Sequence, residues 1–268
     1  MIAASEIELR AGSDLLLTAP MLRVDKGDRI GLVGRNGAGK TTLTRVLAGE
    51  SAPASGNVKM TGTVGYLPQD PRTADPAQLA SSRILSARGL DAVSIRMSRA
   101  AEALATPGIS SEDFEKAGDR YNRALGEFEG LGGYTAESEA ATIAASIGLD
   151  ERILIQPLGT LSGGQRRRVE LTRILFSDAD VLLLDEPTNH LDADSIRWLR
   201  KYLAAYEGGF IVISHDTELL EETVNKVWHL DANRQEIDLY SMGWSKYLLA
   251  RETDEKRRKR ERKNAETT

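Results

Sequence analysis

The chain has 268 residues, which is enough for one large domain or two small ones. Its 41% hydrophobic and 28% charged residues are typical of a globular protein, and a net charge of -5 gives no global argument for nucleic-acid binding. No apolar run reaches the roughly 18 to 20 residues of a membrane helix, and the N-terminus lacks a basic segment followed by a long apolar one. The absence of cysteine excludes disulfides and thiolate metal sites and is compatible with a reducing cytosol. We therefore expect a cytoplasmic chain without a secretion signal or a membrane segment.

The first 82 residues predict strands around a glycine-rich loop. Residues 1–33 are predicted to form short strands with a turn at residues 25–28, and the last of these strands is apolar. Residues 34–41 read GRNGAGKT, and the apolar residues that follow have helical spacing up to Gly49. Residues 58–67 predict one more strand, which Pro68 ends.

The rest of the chain changes character twice. Residues 83–150 are rich in Ala, Glu and Arg, which predicts a helical subdomain inserted into an α/β core. Residues 151–246 return to alternating strands and helices, which predicts a mostly parallel sheet with helices on its faces. The expected elements are a helix after Ser162, a strand at 181–185, a helix after Asp194, a strand at 210–213 and a helix after Asp216.

The tail, residues 247–268, is strongly basic between Lys256 and Lys263 and has few apolar residues. Charge runs of this kind are usually solvated or frayed chain ends. The alternative is the start of a charged linker helix that reaches a partner.

The loop at residues 34–41 matches the phosphate-loop pattern at every fixed position. Its glycines allow the backbone to wrap closely around phosphate, and the N-terminus of the following helix favours an anion. Lys40 is expected to reach the β- and γ-phosphates of a nucleotide, and the Thr41 hydroxyl to ligate Mg²⁺. The predicted nucleotide-binding residues of this segment are Asn36, Gly37, Ala38, Gly39, Lys40, Thr41 and Thr42.

Two acids follow the apolar strand at residues 181–185. In open α/β sheets ligands bind at the carboxyl ends of the strands, where Asp185 and Glu186 are expected. We expect Asp185 to hold Mg²⁺ through water, and Glu186 to polarise an attacking water as general base. Residues 161–165 (LSGGQ) predict a helix capped by Ser162, with the two glycines leaving its first N–H groups uncovered.

Together and in this order, these three segments resemble the ATP-binding cassette (ABC) ATPases. The resemblance implies an ABC core with a small antiparallel β subdomain, and an ATP site that closes between two cassettes. It implies that Ser162, Gly163, Gly164 and Gln165 contact the γ-phosphate held by the opposite cassette. It also implies that Gln69 senses Mg²⁺ and the attacking water, that His215 contacts the γ-phosphate, and that Asp192 couples the two sites.

Within that family the chain resembles the ABC-F group, whose members are tandem cassettes without transmembrane domains. The resemblance lies in residues 34–40, in residues 185–192 (DEPTNHLD), in residues 132–139 and in residues 240–247 (YSMGWSKY), and covers about residues 5–260. It implies that this chain is an N-terminal half and that the tail begins the linker, with a second cassette as the partner, either another copy of this chain or a missing C-terminal half.

The sequence departs from the group's pattern in its adenine contact and in the helical region. No Phe, Tyr or Trp precedes Tyr66, so no aromatic ring can stack on adenine from the usual upstream loop, and Leu16 or Arg10 is left to cover that face. The segment after His215 lacks the arginine and phenylalanine common in the group, and residues 83–133 are too short for a long arm insertion.

Three functions fit these observations. The first is an ATPase half that acts on the ribosome, with rRNA or tRNA contacts, in translation or antibiotic protection. The second is the ATPase subunit of a membrane transporter. The asparagine–histidine pair at residues 189–190 argues against this function. The third is a nucleotide-gated binding module in which hydrolysis is incidental. For the single cassette we expect Mg-ATP binding but slow hydrolysis unless it pairs with a second one.

Overall fold

The computed structural model describes residues 1–70 and 74–266, which divide into two compact units. The first unit comprises residues 1–70, 179–189 and those from 199 onward, and the second comprises the remaining described residues. None of the described helices combines the length and the apolar character that a bilayer span requires.

Strands and helices alternate along much of the described chain. In the N-terminal part they are β1 (Ile2–Ala11), β2 (Asp14–Val24), β3 (Arg29–Gly34), α1 (Lys40–Leu47), β4 (Ser55–Met60), β5 (Val64–Leu67), α2 (Ala80–Leu85), α3 (Leu90–Leu104), α4 (Ser111–Gly130) and α5 (Gly133–Ser146). They continue with α6 (Glu151–Leu154), α7 (Gly163–Phe176), β6 (Val181–Asp185), α8 (Ala193–Ala204), β7 (Gly209–Ile213), α9 (Thr217–Thr223), β8 (Lys226–Asp231), β9 (Glu236–Tyr240) and α10 (Trp244–Glu266).

The strands form one sheet in the order β4-β1-β2-β9-β8-β3-β7-β6-β5. Strand β1 pairs antiparallel with β2 and β4, and β8 pairs antiparallel with β9, whereas the other neighbours are parallel. This confirms the predicted α/β fold with a mostly parallel sheet. The carboxyl ends of β3, β7, β6 and β5 lie side by side, which is the edge where ligands bind in such sheets.

Burial of the strands follows their apolar patterns. Every residue of β6 and β7 is buried, as expected of central parallel strands covered on both faces. Strand β1 instead alternates between buried and less buried positions, and its alternation shifts between Ala4 and Ile7. The shift coincides with Glu6, whose positive φ of 49° marks a bulge in the pairing with β4.

The prediction of a single strand over residues 58–67 is wrong. Residues 61–63 separate β4 from β5, and these two strands lie at opposite ends of the strand order. Gly62 turns the chain with a φ of 85°, and the Asp180 carboxylate accepts the N–H of Thr63 at 2.7 Å. Because three residues span little more than about 10 Å, the two edges of the sheet must approach each other, and the sheet is strongly curled.

The second unit contains the helices α2 to α7 and the first part of α8. Helix α4 begins at Ser111, and Ser110 caps it by accepting the N–H of Asp113 at 3.1 Å. Phe128 on this helix is fully buried and its ring meets that of Tyr134 edge-on. The predicted helical character of residues 83–150 agrees with α3, α4 and α5, while the exact domain limits stay a prediction.

The basic tail is helical as far as it is described. Helix α10 docks on β8 and β9 through Tyr247, which is buried and whose hydroxyl bonds His229 Nδ1 at 2.8 Å. Further along, Arg251 Nη1 and Arg258 Nη2 donate to Asp238 Oδ2 at 3.1 and 3.2 Å. The start of the tail is therefore anchored to the sheet; residues 267–268 of the predicted tail lie outside the described residues.

Candidate functional site

The predicted phosphate loop joins β3 to α1, as expected from the sequence. Gly37 and Gly39 have φ values of 80° and 99°, which residues with a side chain rarely adopt. Gly39 precedes α1 and offers no side-chain cap, so the first N–H groups of the helix are available to an anion. Ala38 is buried behind the loop.

Lys40 ties the loop together. Its Nζ donates to the carbonyl oxygens of Gly34 at 2.7 Å and Arg35 at 3.2 Å, the residues at which the loop begins. Burial lowers the pKa of Lys40, while the nearby carboxylates of Glu186 and Asp185 act in the opposite direction. These two hydrogen bonds hold the Lys40 ammonium group against the start of the phosphate loop.

Strand β6 delivers Asp185 next to α1. Asp185 is 2% exposed, and the Thr41 hydroxyl donates to its Oδ2 at 2.9 Å. Mg²⁺ is usually bound by one or two protein oxygens together with substrate phosphates. The pair of a hydroxyl and a carboxylate beside an open phosphate loop therefore fits Mg²⁺ carried by a nucleotide.

Glu186 follows directly and contacts the turn after β7. Its Oε1 lies 3.2 Å from His215 Nε2, and its Oε2 is 3.4 Å from the His215 N–H. Its backbone has a φ of 50°, and its N–H donates to the Ile213 carbonyl at 2.8 Å. Burial raises the pKa of Glu186, although the neighbouring His215 opposes that shift. A carboxylate with a raised pKa beside an imidazole suits proton transfer.

These side chains line one cavity of about 580 Å³, within the roughly 300–1,000 Å³ range of small-molecule sites. Its walls combine phosphate-loop residues, the acids of β6, loop residues that follow β5 and β7, and two residues of the first hairpin. The lining residues are Ala11, Leu16, Asn36, Gly37, Gly39, Lys40, Thr41, Thr42, Gln69, Asp185, Glu186, Asn189, Ile213 and His215.

Leu16 and Arg10 are the two residues that the sequence left as candidates for covering adenine. Leu16 lines the cavity and lies close to Gly39, at which an added Cβ would be 3.5 Å from the Leu16 Cβ. Arg10, the alternative, forms an ion pair with Glu8 and donates Nη1 to the Ser13 carbonyl at 3.0 Å. Leu16 is therefore the better candidate of the two.

The second unit holds the other predicted segment. Ser162 Oγ accepts the N–H of Gln165 at 3.1 Å, and Gln165 Oε1 accepts the N–H of Ser162 at 2.9 Å, which is a complete capping box at the start of α7. Among the described residues, none has an atom within 4 Å of a Cβ added at Gly163, whereas a Cβ added at Gly164 would lie 3.6 Å from the His190 Cβ. The predicted helix start is confirmed, and the Gly163 side of it is open.

Asp192 has a structural partner within the same unit. Its Oδ1 accepts the N–H of Ser195 at 2.8 Å, so it caps α8, which begins at Ala193 and not after Asp194 as predicted. This hydrogen bond lowers the pKa of Asp192. The carbonyl oxygen of the neighbouring His190 accepts a hydrogen bond from Arg168 Nε at 2.8 Å, so the backbone of His190 helps to hold this loop in place.

Three lining residues were missed by the sequence reasoning. Asn189, Ala11 and Ile213 line the cavity, but none of them stands in a pattern whose spacing assigns it to a nucleotide. Asn189 was a recognisable part of residues 185–192, so its position in that segment was the available signal. Ala11 ends β1 and carried no signal of its own.

Comparison with known proteins places the chain in a family. The profile described as "ABC transporter" matches residues 17–189. The chain is 35% identical over 239 residues to the uncharacterized ABC transporter ATP-binding protein YkpA of Bacillus subtilis, covering 88% of this chain and 43% of that protein. It is 32% identical over 249 residues to the tylosin resistance ATP-binding protein TlrC of Streptomyces fradiae, covering 92% of this chain and 45% of that protein. The chain thus spans less than half the length of these curated relatives.

Solved structures agree on the fold. A structure described as the ATP-binding subunit of an ABC transporter superposes with a TM-score of 0.65 at 16% identity, covering 90% of both chains. The cassette MJ0796, described as a dimer in a post-hydrolysis state bound to ADP and Pi, superposes with a TM-score of 0.60 at 19% identity, covering 91% of this chain and all of that one. The chain belongs to the ABC transporter family of ATP-binding cassette ATPases, which bind ATP with Mg²⁺.

Proposed function

We propose that the chain is one ATPase cassette of a cytoplasmic ABC-F-type protein that acts on the ribosome, in translation or in protection against antibiotics. The observation that carries the proposal is the 31–35% identity to curated ATP-binding proteins over about nine-tenths of this chain, one of them named for tylosin resistance. The helix α10, which follows the segment that resembles the start of the group's linker and is anchored to the sheet through Arg251, supports it.

On this proposal the residues of the first unit bind and orient Mg-ATP. Lys40 and the phosphate-loop N–H groups hold the β- and γ-phosphates, and Thr41 and Asp185 would hold Mg²⁺, with Gln69 near them. When bound, the metal neutralises charge on the phosphates. Glu186 accepts a proton from the attacking water at its carboxylate, and His215 fixes that carboxylate and contacts the γ-phosphate. The remaining phosphate-loop positions, Asn36, Gly37, Ala38, Gly39 and Thr42, shape the cradle.

The residues of the second unit are proposed to act on another cassette. Phosphoryl transfer is mostly positioning and charge stabilisation, and the γ-phosphate has to be contacted from both sides. Ser162, Gly163, Gly164 and Gln165 supply that second side to a partner cassette, and Asp192 couples the two sites. We therefore expect turnover by this chain alone to be slow and to rise with protein concentration, and Ser162→Arg to abolish that rise.

The test uses Glu186→Gln protein, which is expected to bind Mg-ATP without hydrolysing it. The protein is centrifuged with ribosomes through a sucrose gradient, with and without Mg-ATP, and the Glu186→Gln/Ser162→Arg double variant serves as the matched control. ATP-dependent comigration of the single variant, lost in the control, supports the proposal. ATP-dependent dimers that stay clear of ribosomes, even with a second cassette attached, contradict the ribosomal role.

Two further results distinguish the alternatives. Recovery of the chain with a membrane fraction in a nucleotide-dependent manner would indicate a transporter subunit. A Glu186→Gln chain that retained its cellular function through repeated cycles would indicate a nucleotide-gated module for which hydrolysis is incidental.

A further inference from the structure

A partly buried ion pair lies immediately beyond His215. Arg200 on α8 is 12% exposed at its side chain, and its Nη2 donates to both carboxylate oxygens of Asp216, at 3.1 and 3.0 Å. Its Nη1 reaches Glu218 at 2.5 Å. Charge-assisted hydrogen bonds are stronger than neutral ones, and together with the Glu218 contact they hold the guanidinium against Asp216.

Asp216 is also tied to the backbone on either side. Its Oδ1 accepts the N–H of Leu219 at 3.0 Å and so caps α9, whose leucines at 219 and 220 are buried. Its own N–H donates to Ser214 Oγ at 3.0 Å. Asp216 is therefore fixed through its carboxylate, and the hydrogen bond from its backbone N–H links it to Ser214 on the other side of His215.

His215 itself is held weakly by its surroundings. Its side chain is 79% exposed, and its contacts with Glu186 are at 3.2 Å from the ring and 3.4 Å from the backbone N–H. An exposed ring receives little packing that could fix its direction, so its position depends on the turn that carries it. The backbone N–H that faces Glu186 belongs to the residue directly before Asp216, which Arg200 holds.

We propose that Arg200 is a positioning residue for the hydrolytic step: through Asp216 it fixes the turn at 214–216 and so keeps His215 against Glu186. The inference rests on the proposed roles of Glu186 and His215 in hydrolysis and is independent of the ribosomal role. In this proposal Arg200 does not contact the nucleotide. Substitution of Arg200 should therefore lower kcat and leave the KM for ATP unchanged.

The test compares Arg200→Met in two backgrounds. In the otherwise unchanged chain, at a protein concentration where turnover no longer rises, kcat should fall about 10-fold, below the ~100-fold cost of a 1 Å misplacement. In the His215→Ala background the same substitution should change kcat less than about 2-fold, because the residue through which Arg200 acts is gone. A purely structural role would give the same loss in both backgrounds.

The matched control is Arg197→Met on the same helix. Arg197 pairs with Asp194 at the surface, and its side chain is 68% exposed, so kcat should stay unchanged. Asp216→Asn provides a second variant, because asparagine still caps α9 but pairs more weakly with Arg200. It should reproduce the kcat loss in part without unfolding the chain, as should Arg200→Lys.

The outcomes distinguish a failure of the inference about Arg200 from a failure of the proposed role of His215 in hydrolysis. If His215→Ala lowers kcat but Arg200→Met and Asp216→Asn leave it unchanged, Arg200 is not a positioning residue and the inference is overturned. An equal loss from Arg200→Met in both backgrounds overturns it as well. If His215→Ala leaves kcat unchanged, the proposed catalytic role of His215 is wrong and the inference falls with it.

Discussion

The Ser162 hydroxyl has two roles that one set of substitutions can separate. It caps α7 by accepting the Gln165 N–H, and we propose that it also contacts the γ-phosphate of a partner cassette. Ser162→Ala removes the cap and should cost about 1 kcal/mol of unfolding free energy. Asparagine and aspartate cap helices as well as serine does, so Ser162→Asn and Ser162→Asp should each stay within about 0.5 kcal/mol of the parent.

The two capping variants differ in charge, and this difference tests the nucleotide contact. A carboxylate roughly 4 Å from a γ-phosphate oxygen, at an effective dielectric constant near 20, is repelled by about 4 kcal/mol per pair of unit charges. Since every 1.4 kcal/mol is a factor of ten, ATP-driven association of Ser162→Asp should be weaker than that of Ser162→Asn by about 10³-fold. Salt should reduce the difference, because partly exposed charges are screened.

The assay is sedimentation velocity in the Glu186→Gln background with and without Mg-ATP, alongside urea unfolding of each variant. If the Glu186→Gln parent stays monomeric with Mg-ATP, the comparison is repeated with a second cassette attached. Equal association of the aspartate and asparagine variants, with equal stabilities, would refute the contact between Ser162 and a partner's phosphate.

Three further predictions concern the first unit. Burial alone would raise the pKa of Asp231, but hydrogen bonds from the Arg234 side chain and nearby N–H groups lower it to about 2. The ionised carboxylate therefore stabilises the fold above about pH 4, and this contribution is lost as pH falls towards 2. Asp231→Asn should cost about 1–2 kcal/mol in urea unfolding at pH 7 after allowance for solvent screening, and less near pH 3; an equal cost at both pH values would contradict it. Thr41→Val removes the hydroxyl that bonds Asp185, so the Mg²⁺ concentration for half-maximal turnover should rise at least about 10-fold, whereas Thr41→Ser should restore it. Leu16→Tyr should tighten ATP binding by about 1–3 kcal/mol in calorimetry if residue 16 covers adenine, and unchanged affinity would exclude that position.

Much of the site was predictable because its parts are contiguous in sequence. The phosphate loop, the acids after β6 and the cap of α7 each lie within a few residues, and their local conformations follow from glycine φ values, strand burial and N-cap chemistry. The alternation of strands and helices likewise predicted the mostly parallel sheet.

Other features depended on residues far apart in the chain. Residues 58–67 form two strands at opposite ends of the strand order. This division could not be predicted locally, because it depends on the pairing of β5 with β6, which follows it by more than a hundred residues. The start of α8 was missed for a local reason: Asp192 and Asp194 can both cap a helix, and it is Asp192 that caps α8 by accepting the Ser195 N–H. No local pattern decides such choices, because the competing conformations have similar local energies.

The sequence by itself indicated the fold class and the ATPase family, and it predicted the residues that bear the chemistry, because short motifs with fixed spacing specify local backbone geometry. The tertiary structure decided that Glu186 meets His215, that Leu16 borders the cavity, and that Arg200 holds the carboxylate beside His215. The physical reason is that these contacts join separate strands and helices. Their distances follow from sheet order and side-chain packing, which a linear pattern does not encode.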